Sequence, residues 1–289
     1  MSARWPFRNP AMSAVALLAS ACAFTVTFPP LRNGLSPLFY DPENLPTSER
    51  DPRVHFEAGA NSCATEVAAL LPRAIQHVEG MQGRPFARDP VIAVYSSPAL
   101  FAKANGFGHP NVVGASQWGR VTLSPRLCTT ERPRLAAVLT HELSHAHLLS
   151  WRSWFVFERP PSWFAEGLAV LVSGGAGAEG VDEEAAKGAL SQGYAIAIEN
   201  KDRWLDYAAI PFRIEPLEPS ISRQRLAYRQ AAMLVGWLLA RRPDGFFQLL
   251  QEIETGKPFS AAFLKSYGSV PEIEWKAFVS GLTRQAPLN

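Results

Sequence analysis

The chain has 289 residues, 47% of them hydrophobic and 19% charged, which is the composition of a folded protein with length for one large or two small domains. Its 28 Lys and Arg against 26 Asp and Glu leave a net charge of +2, and no basic run is interleaved with aromatic residues, so nothing points to a nucleic-acid partner. No repeat at a solenoid period is visible.

Residues 1–30 depart from globular composition. Arg4 and Arg8 precede a charge-free stretch from Asn9 to Leu31, whose centre at residues 11–28 is AMSAVALLASACAFTVTF. This reads as an export leader with three open fates: cleavage after Ala19-Ser20-Ala21, retention of residues 11–28 as a membrane anchor, or lipidation at Cys22. Each places the rest of the chain outside the cytoplasm, in the periplasm or a comparable space. Residues 31–52, with Pro37, Pro42, Pro46 and Pro52 among polar residues, read as a Pro-rich tether that could hold a domain off a membrane surface.

With Cys22 set aside, Cys63 and Cys128 remain. In an oxidising compartment an isolated pair reads as a disulfide, the alternative being two buried thiols. Residues 53–130 alternate like a small α/β subdomain: a short strand at 54–57, a helix over 63–79 in spite of Pro72, a buried strand from Val91 to Tyr95 and a short helix over 98–104. A loop with Gly106, Gly108, His109 and Pro110 leads into Val113 to Pro125, VGASQWGRVTLSP. We read that stretch as a Gly-rich edge strand whose unpaired backbone groups suit an extended peptide, and His109 as a solvated loop residue.

From Glu131 to Leu149, ERPRLAAVLTHELSHAHLL, apolar Leu135, Val138, Leu139 and Leu148 recur at helical spacing, and Pro133 suits a first turn. The stretch carries His141, Glu142 and His145 as H-E-x-x-H. Residues four apart on a helix lie one above the other, so the two imidazoles can share one tetrahedral Zn²⁺. Glu142 is one residue round from His141, near enough to act on a water but angled away from the metal, as a general base requires. His147 falls on another face and is not read as a ligand.

Trp151, Trp154, Phe155 and Phe157 follow and read as core packing, with a membrane-touching patch as the alternative. Arg159 to Val172, RPPSWFAEGLAVLV, opens with two prolines and Ser162 and continues as an apolar helix whose one charge is Glu166. A carboxylate in such surroundings is costly unless paired or metal-bound. Two His and one Glu also leave a fourth zinc position open, as a catalytic site needs. Gly174 to Gly180, GGAGAEG, reads as a flexible loop with no phosphate-binding context. Further helices are expected at 162–173, 182–191, 222–241, 245–254, 259–266 and 270–283.

HELSHA followed by P-x-W-x-x-E-G-L-A, with twenty residues between His145 and Glu166, resembles the gluzincin metallopeptidases, the thermolysin and aminopeptidase-N-like group, and above all compact "peptidase MA-like" domains. The resemblance implies His141, His145 and Glu166 as zinc ligands and Glu142 as base and proton shuttle. It likens Gly114, Ala115, Trp118 and Gly119 to the substrate-side strand of the aminopeptidases, with Gln117 standing about where the amine-binding Glu would be. A neutral amide cannot pair a free ammonium, which argues for an endopeptidase over an aminopeptidase. It also sets Tyr228, in RLAYRQAAMLVGWLLA, at the place of a catalytic tyrosine; a Tyr opening an apolar helix can equally be core or rim.

The expectation is an α+β, zincin-like catalytic domain over 53–289. It would have a small mixed sheet with an edge strand, then a zinc-site helix and a mostly helical half over 131–289. The activity implied is zinc-dependent hydrolysis of peptides or proteins, with membrane contact only through the N-terminal segment. The rival is an exported, non-catalytic module that keeps the fold to grip a peptide.

Overall fold

The computed structural model describes residues 40–117, 119–150, 159–198, 210 and 223–285. Residues 1–30, read above as a leader, residues 31–39 of the stretch read as a tether, Trp118 and the aromatic stretch at 151–158 lie outside the described residues. Among those described, no helix is long and apolar enough to cross a membrane.

The described residues form a mixed α/β structure with four short strands in one mixed sheet: β1 (Val54–Phe56), β2 (Val91–Val94), β3 (Gly114–Gln117) and β4 (Arg120–Leu123). The order across the sheet is β1-β2-β4-β3. β1 runs parallel to β2 and β2 to β4, while β3 returns antiparallel on β4 at the edge. Helix α1 (Asn61–Gln82) joins β1 to β2, and α2 (Pro98–Ala104) lies between β2 and β3. α1 absorbs Pro72 on an exposed face and stops at Gly83, whose φ of 72° is the left-handed cap that glycine adopts at least cost.

Val113 to Pro125 departs from the expected single edge strand and forms a tight hairpin. The chain reverses between Gln117 and Arg120 with Gly119 at φ 77°, and β4 inserts beside β2. Alternating apolar character fixes which way side chains point but does not mark where a strand turns back. Within that hairpin only β3 lies at a sheet edge. The tether reading also changes over 40–52, which docks onto the sheet. Thr47 bridges to His55, Ser48 N–H donates to Val54 O at 2.8 Å, Arg120 pairs with Asp41 at 3.0 Å, and Asp51 is buried against Arg53. The prolines there set turns, as in the helical turn Pro42–Asn44, rather than a free spacer.

The strands bury two faces. Ile92, Val94, Val121 and Leu123 join the main core with α1 and with helix α3 (Leu135–Ser150). Ala93 and Tyr95 point the other way, onto Phe101 and Ala104 of α2. The later elements among the described residues are helices: α4 (Ser162–Val172), α5 (Glu183–Ser191), α6 (Arg223–Arg241), α7 (Pro243–Glu254), α8 (Phe259–Tyr267) and α9 (Pro271–Gln285). Trp163 and Phe164 of α4 meet Phe259 edge-on and tilted, at ring-centroid distances of 5.8 and 5.1 Å, which ties the Glu166 helix to the C-terminal helices.

Cys63, at the start of α1, is bridged to Cys128 with the Cα atoms 5.5 Å apart. Cys128 ends a helical turn, Pro125–Cys128, that leads through Arg132–Arg134 into α3. The bridge therefore pins the entry to the H-E-x-x-H helix.

Candidate metal centre

α3 carries His141, Glu142 and His145 toward α4 and β3. His141 and His145 are one helical turn apart, with their Nε2 atoms at 3.1 Å, and each Nε2 lies 3.4 Å from Oε2 of Glu166 on α4. Donors arranged tetrahedrally at zinc-ligand distances of about 2.0–2.1 Å stand about 3.3 Å apart. The three observed separations match that figure, and the two-imidazole, one-carboxylate set suits zinc better than Mg²⁺ or Ca²⁺. His141 Nδ1 is buried with no partner among the described residues, so its second nitrogen lacks the acceptor that commonly orients a ligating imidazole.

The electrostatics of the cluster's own side chains follow from these distances. Burial alone would raise Glu166, but the adjacent His145 and His141 hold its carboxyl far below the usual carboxylate range. Burial lowers His145, and the pull of Glu166 more than restores it, leaving it raised. Glu142 is pushed up: loss of water around its carboxyl and repulsion from Glu166 outweigh the attraction of His141 and His145. Glu166 is thus held as a carboxylate, while the Glu142 carboxyl has its proton affinity increased.

Glu142 faces β3. A Cβ built on Gly114 would stand 2.7 Å from both Cγ and Oε1 of Glu142, so the strand passes directly over the carboxylate. Ala115 and Gln117 alternate to the opposite face. There Gln117 lines a small cavity with Tyr40, Pro42, Ala104, Asn105, Arg120 and Thr122, and its amide packs on Gly106. Of the substrate-side residues expected from the sequence, the structure brings Gly114 to the cluster, keeps Ala115 in the strand and turns Gln117 away. His109 is exposed in its loop.

Tyr228 reaches the cluster from α6. Its ring lies parallel to that of His141, with centroids 6.5 Å apart, and its hydroxyl accepts from Gln224 Nε2 at 3.2 Å. Burial, together with the Glu166 carboxylate, pushes its phenol well up, so it is a proton donor across the neutral range. The approach depends on Gly167, next to Glu166: a Cβ there would stand 2.6 Å from Ala231 O, so α4 and α6 touch backbone to backbone.

Sequence reasoning missed the Gly174–Gly180 loop. Gly177 lies against both Tyr228 and His141, and Glu179 is held by Arg134. Glycine density signals a turn but not what the turn rests on. His147, set aside as a ligand, is fully buried on the far side of α3, where its ring nitrogens face Gln82 Oε1 at 2.8 Å and Arg84 O at 3.1 Å.

Comparison with protein-family models, with curated proteins and with solved structures gives no match.

Proposed function

We propose that the chain is an exported zinc metallopeptidase with a zincin-like fold that cleaves within peptides or proteins. The observation that carries this reading is the meeting of three donors at zinc-compatible separations with a buried carboxyl, Glu142, that is not one of them. His141, His145 and Glu166 would hold the ion, which when bound supplies Lewis-acid polarisation of a carbonyl and lowers the pKa of water toward about 7.

The remaining steps belong to the chain. Glu142 takes a proton from the attacking water on a carboxylate oxygen and delivers it to the leaving amide nitrogen, a role suited to a carboxyl whose proton affinity burial has increased. Glu166 stays ionised and so keeps its ligand character to low pH. The Tyr228 hydroxyl donates to the carbonyl oxygen as negative charge develops there. β3, at the sheet edge, offers backbone groups to an extended substrate. Cleavage within chains is favoured over removal of N-terminal residues because Gln117 is neutral and turned from the cluster. The Cys63–Cys128 bridge is compatible with export.

Two measurements test the reading. Elemental analysis of residues 31–289, purified without chelator, should find about one zinc per chain, lost in His145→Ala. Glu142→Gln should keep the zinc and lose turnover of a labelled protein substrate. Absence of zinc in both proteins, or undiminished turnover in Glu142→Gln, would overturn it. Zinc with no turnover of any peptide would instead favour a binding module.

A further inference from the structure

Beyond the ligands and the base, the structure assigns a positioning role to the loop from Gly174 to Val181: pinned by Arg134 and Arg229, it sets Gly177 as the spacer that holds the Tyr228 ring at its place beside His141. The inference rests on the hydrolytic reading for its catalytic consequence, but not for its geometry.

Gly177 is the point of contact. It has a φ of 89°, and a Cβ built on it would stand 2.8 Å from Cδ2 of Tyr228 and 3.5 Å from Cε1 of His141. Its backbone therefore fills the space beside both rings, and no side chain fits without moving one of them. The next residue, Ala178, is fully buried with Val170 of α4 and Ala232 of α6, and Tyr228 packs on the same group.

The loop is fastened at three places. Arg134, at the entry to α3, donates through Nε at 2.8 Å and Nη2 at 2.6 Å to Oε1 of Glu179. Arg225 Nη1 donates to Glu179 O at 3.3 Å, and Arg229 Nε to Val181 O at 2.8 Å. Arg225 and Arg229 flank Tyr228 on α6, so the helix that presents the phenol also holds the loop that bounds it. Arg134 ties the same loop to the helix that carries His141. The spacing between the phenol and the imidazole is thus set by a closed circuit, α3 to loop to α6, rather than by the Tyr228 rotamer alone. A partly exposed ion pair contributes little stability, so the value of the Arg134–Glu179 contact lies in registration of the loop.

The test uses Gly177→Ala and Glu179→Gln, each in the native background and in Tyr228→Phe, which keeps the ring and removes the hydroxyl. In zinc-loaded protein acting on a labelled protein substrate, Gly177→Ala should lower kcat on the order of 10²-fold, the scale for loss of one oxyanion donor, with KM little changed. Glu179→Gln should lower it less, and in the Tyr228→Phe background neither change should lower kcat by more than about twofold, because the donor is already gone. Equal losses in both backgrounds would mean a merely structural loop and overturn the inference.

The readout independent of activity is the crystal structure of Gly177→Ala, or of Glu179→Gln if the alanine variant does not fold. Displacement of the Tyr228 ring from His141 supports the inference, and an unmoved ring overturns it. If native protein turns nothing over, the peptidase reading fails while the ring position still decides the positioning role.

Discussion

Gly114 and Glu142 are in such close approach that hydrogen is the only side chain the strand can carry there: a Cβ would meet Cγ and Oε1 of Glu142 at 2.7 Å. The contact joins the sheet edge to the H-E-x-x-H helix at the carboxyl proposed as the base. Gly114→Ala must displace either β3 or the Glu142 side chain. The expected outcome is full zinc content with turnover reduced on the order of 10²-fold, the scale of a misplacement near 1 Å in a catalytic group. Elemental analysis and steady-state rates on the same preparation check it. Unchanged turnover would show that Glu142 has room to move without cost.

Gly167 makes the parallel argument for stability. Its Cα meets the Ala231 backbone so closely that a Cβ would stand 2.6 Å from the carbonyl oxygen and 2.9 Å from Val235 Cγ2. A backbone atom cannot swing aside as a side chain can. Gly167→Ala should therefore destabilise the fold by about 1–3 kcal/mol, in spite of the helix propensity it gains. Because α4 and α6 would part, Tyr228 should also withdraw from Glu166. Urea unfolding measures the first effect; a midpoint equal to or above that of the native protein would contradict the close packing.

The parts of this molecule that were legible in the sequence are those set by local pattern. Apolar spacing placed α3 around His141, Glu142 and His145, and a lone carboxylate in an apolar helix marked Glu166, because burial of an unpaired charge is expensive wherever it occurs. The helices expected at 162–173, 182–191 and 222–241 are found at Ser162–Val172, Glu183–Ser191 and Arg223–Arg241. What stayed hidden depends on partners far away in the chain. The turn at Gly119 that makes Val113 to Pro125 a hairpin is selected by pairing β4 with β2. Gln117 could not be placed until the register put it on the α2 face, and the Gly177 loop acquires meaning only from Tyr228, fifty-one residues on.

The Cys63–Cys128 bridge closes a sequence separation of 65 residues. The chain-entropy account assigns a loop of that size about 4 kcal/mol, with measured bridges commonly at about 2–4 kcal/mol. Replacing both cysteines by Ser should lower the urea midpoint accordingly, and it should also weaken zinc retention against a chelator, since the bridge holds the turn that enters α3. Thermal or urea unfolding of oxidised and reduced protein gives the comparison. Identical midpoints would show that packing of Leu127 and Leu135 already fixes that entry.

His147 should make the fold less stable in acid. The ring is fully buried, with Phe86 edge-on at 4.6 Å, and its two nitrogens face two oxygen acceptors. A neutral ring has one N–H for those two oxygens, yet burial, aided by the Arg84 guanidinium, prevails and pushes it down to about 4. In the unfolded chain the same group titrates near about 6.5, so between these values the unfolded state binds more protons and stability falls as pH falls. The contribution is complete above about 6.5 and lost by about 4, and across that window stability drops by roughly 1.4 kcal/mol for each pH unit. Imidazole nitrogen shifts read by NMR should report a neutral His147 at about pH 5, where a free histidine is charged. A midpoint near 6.5 would mean that the Gln82 and Arg84 acceptors stabilise the cation after all, and acid lability would then have to come from the carboxylates alone.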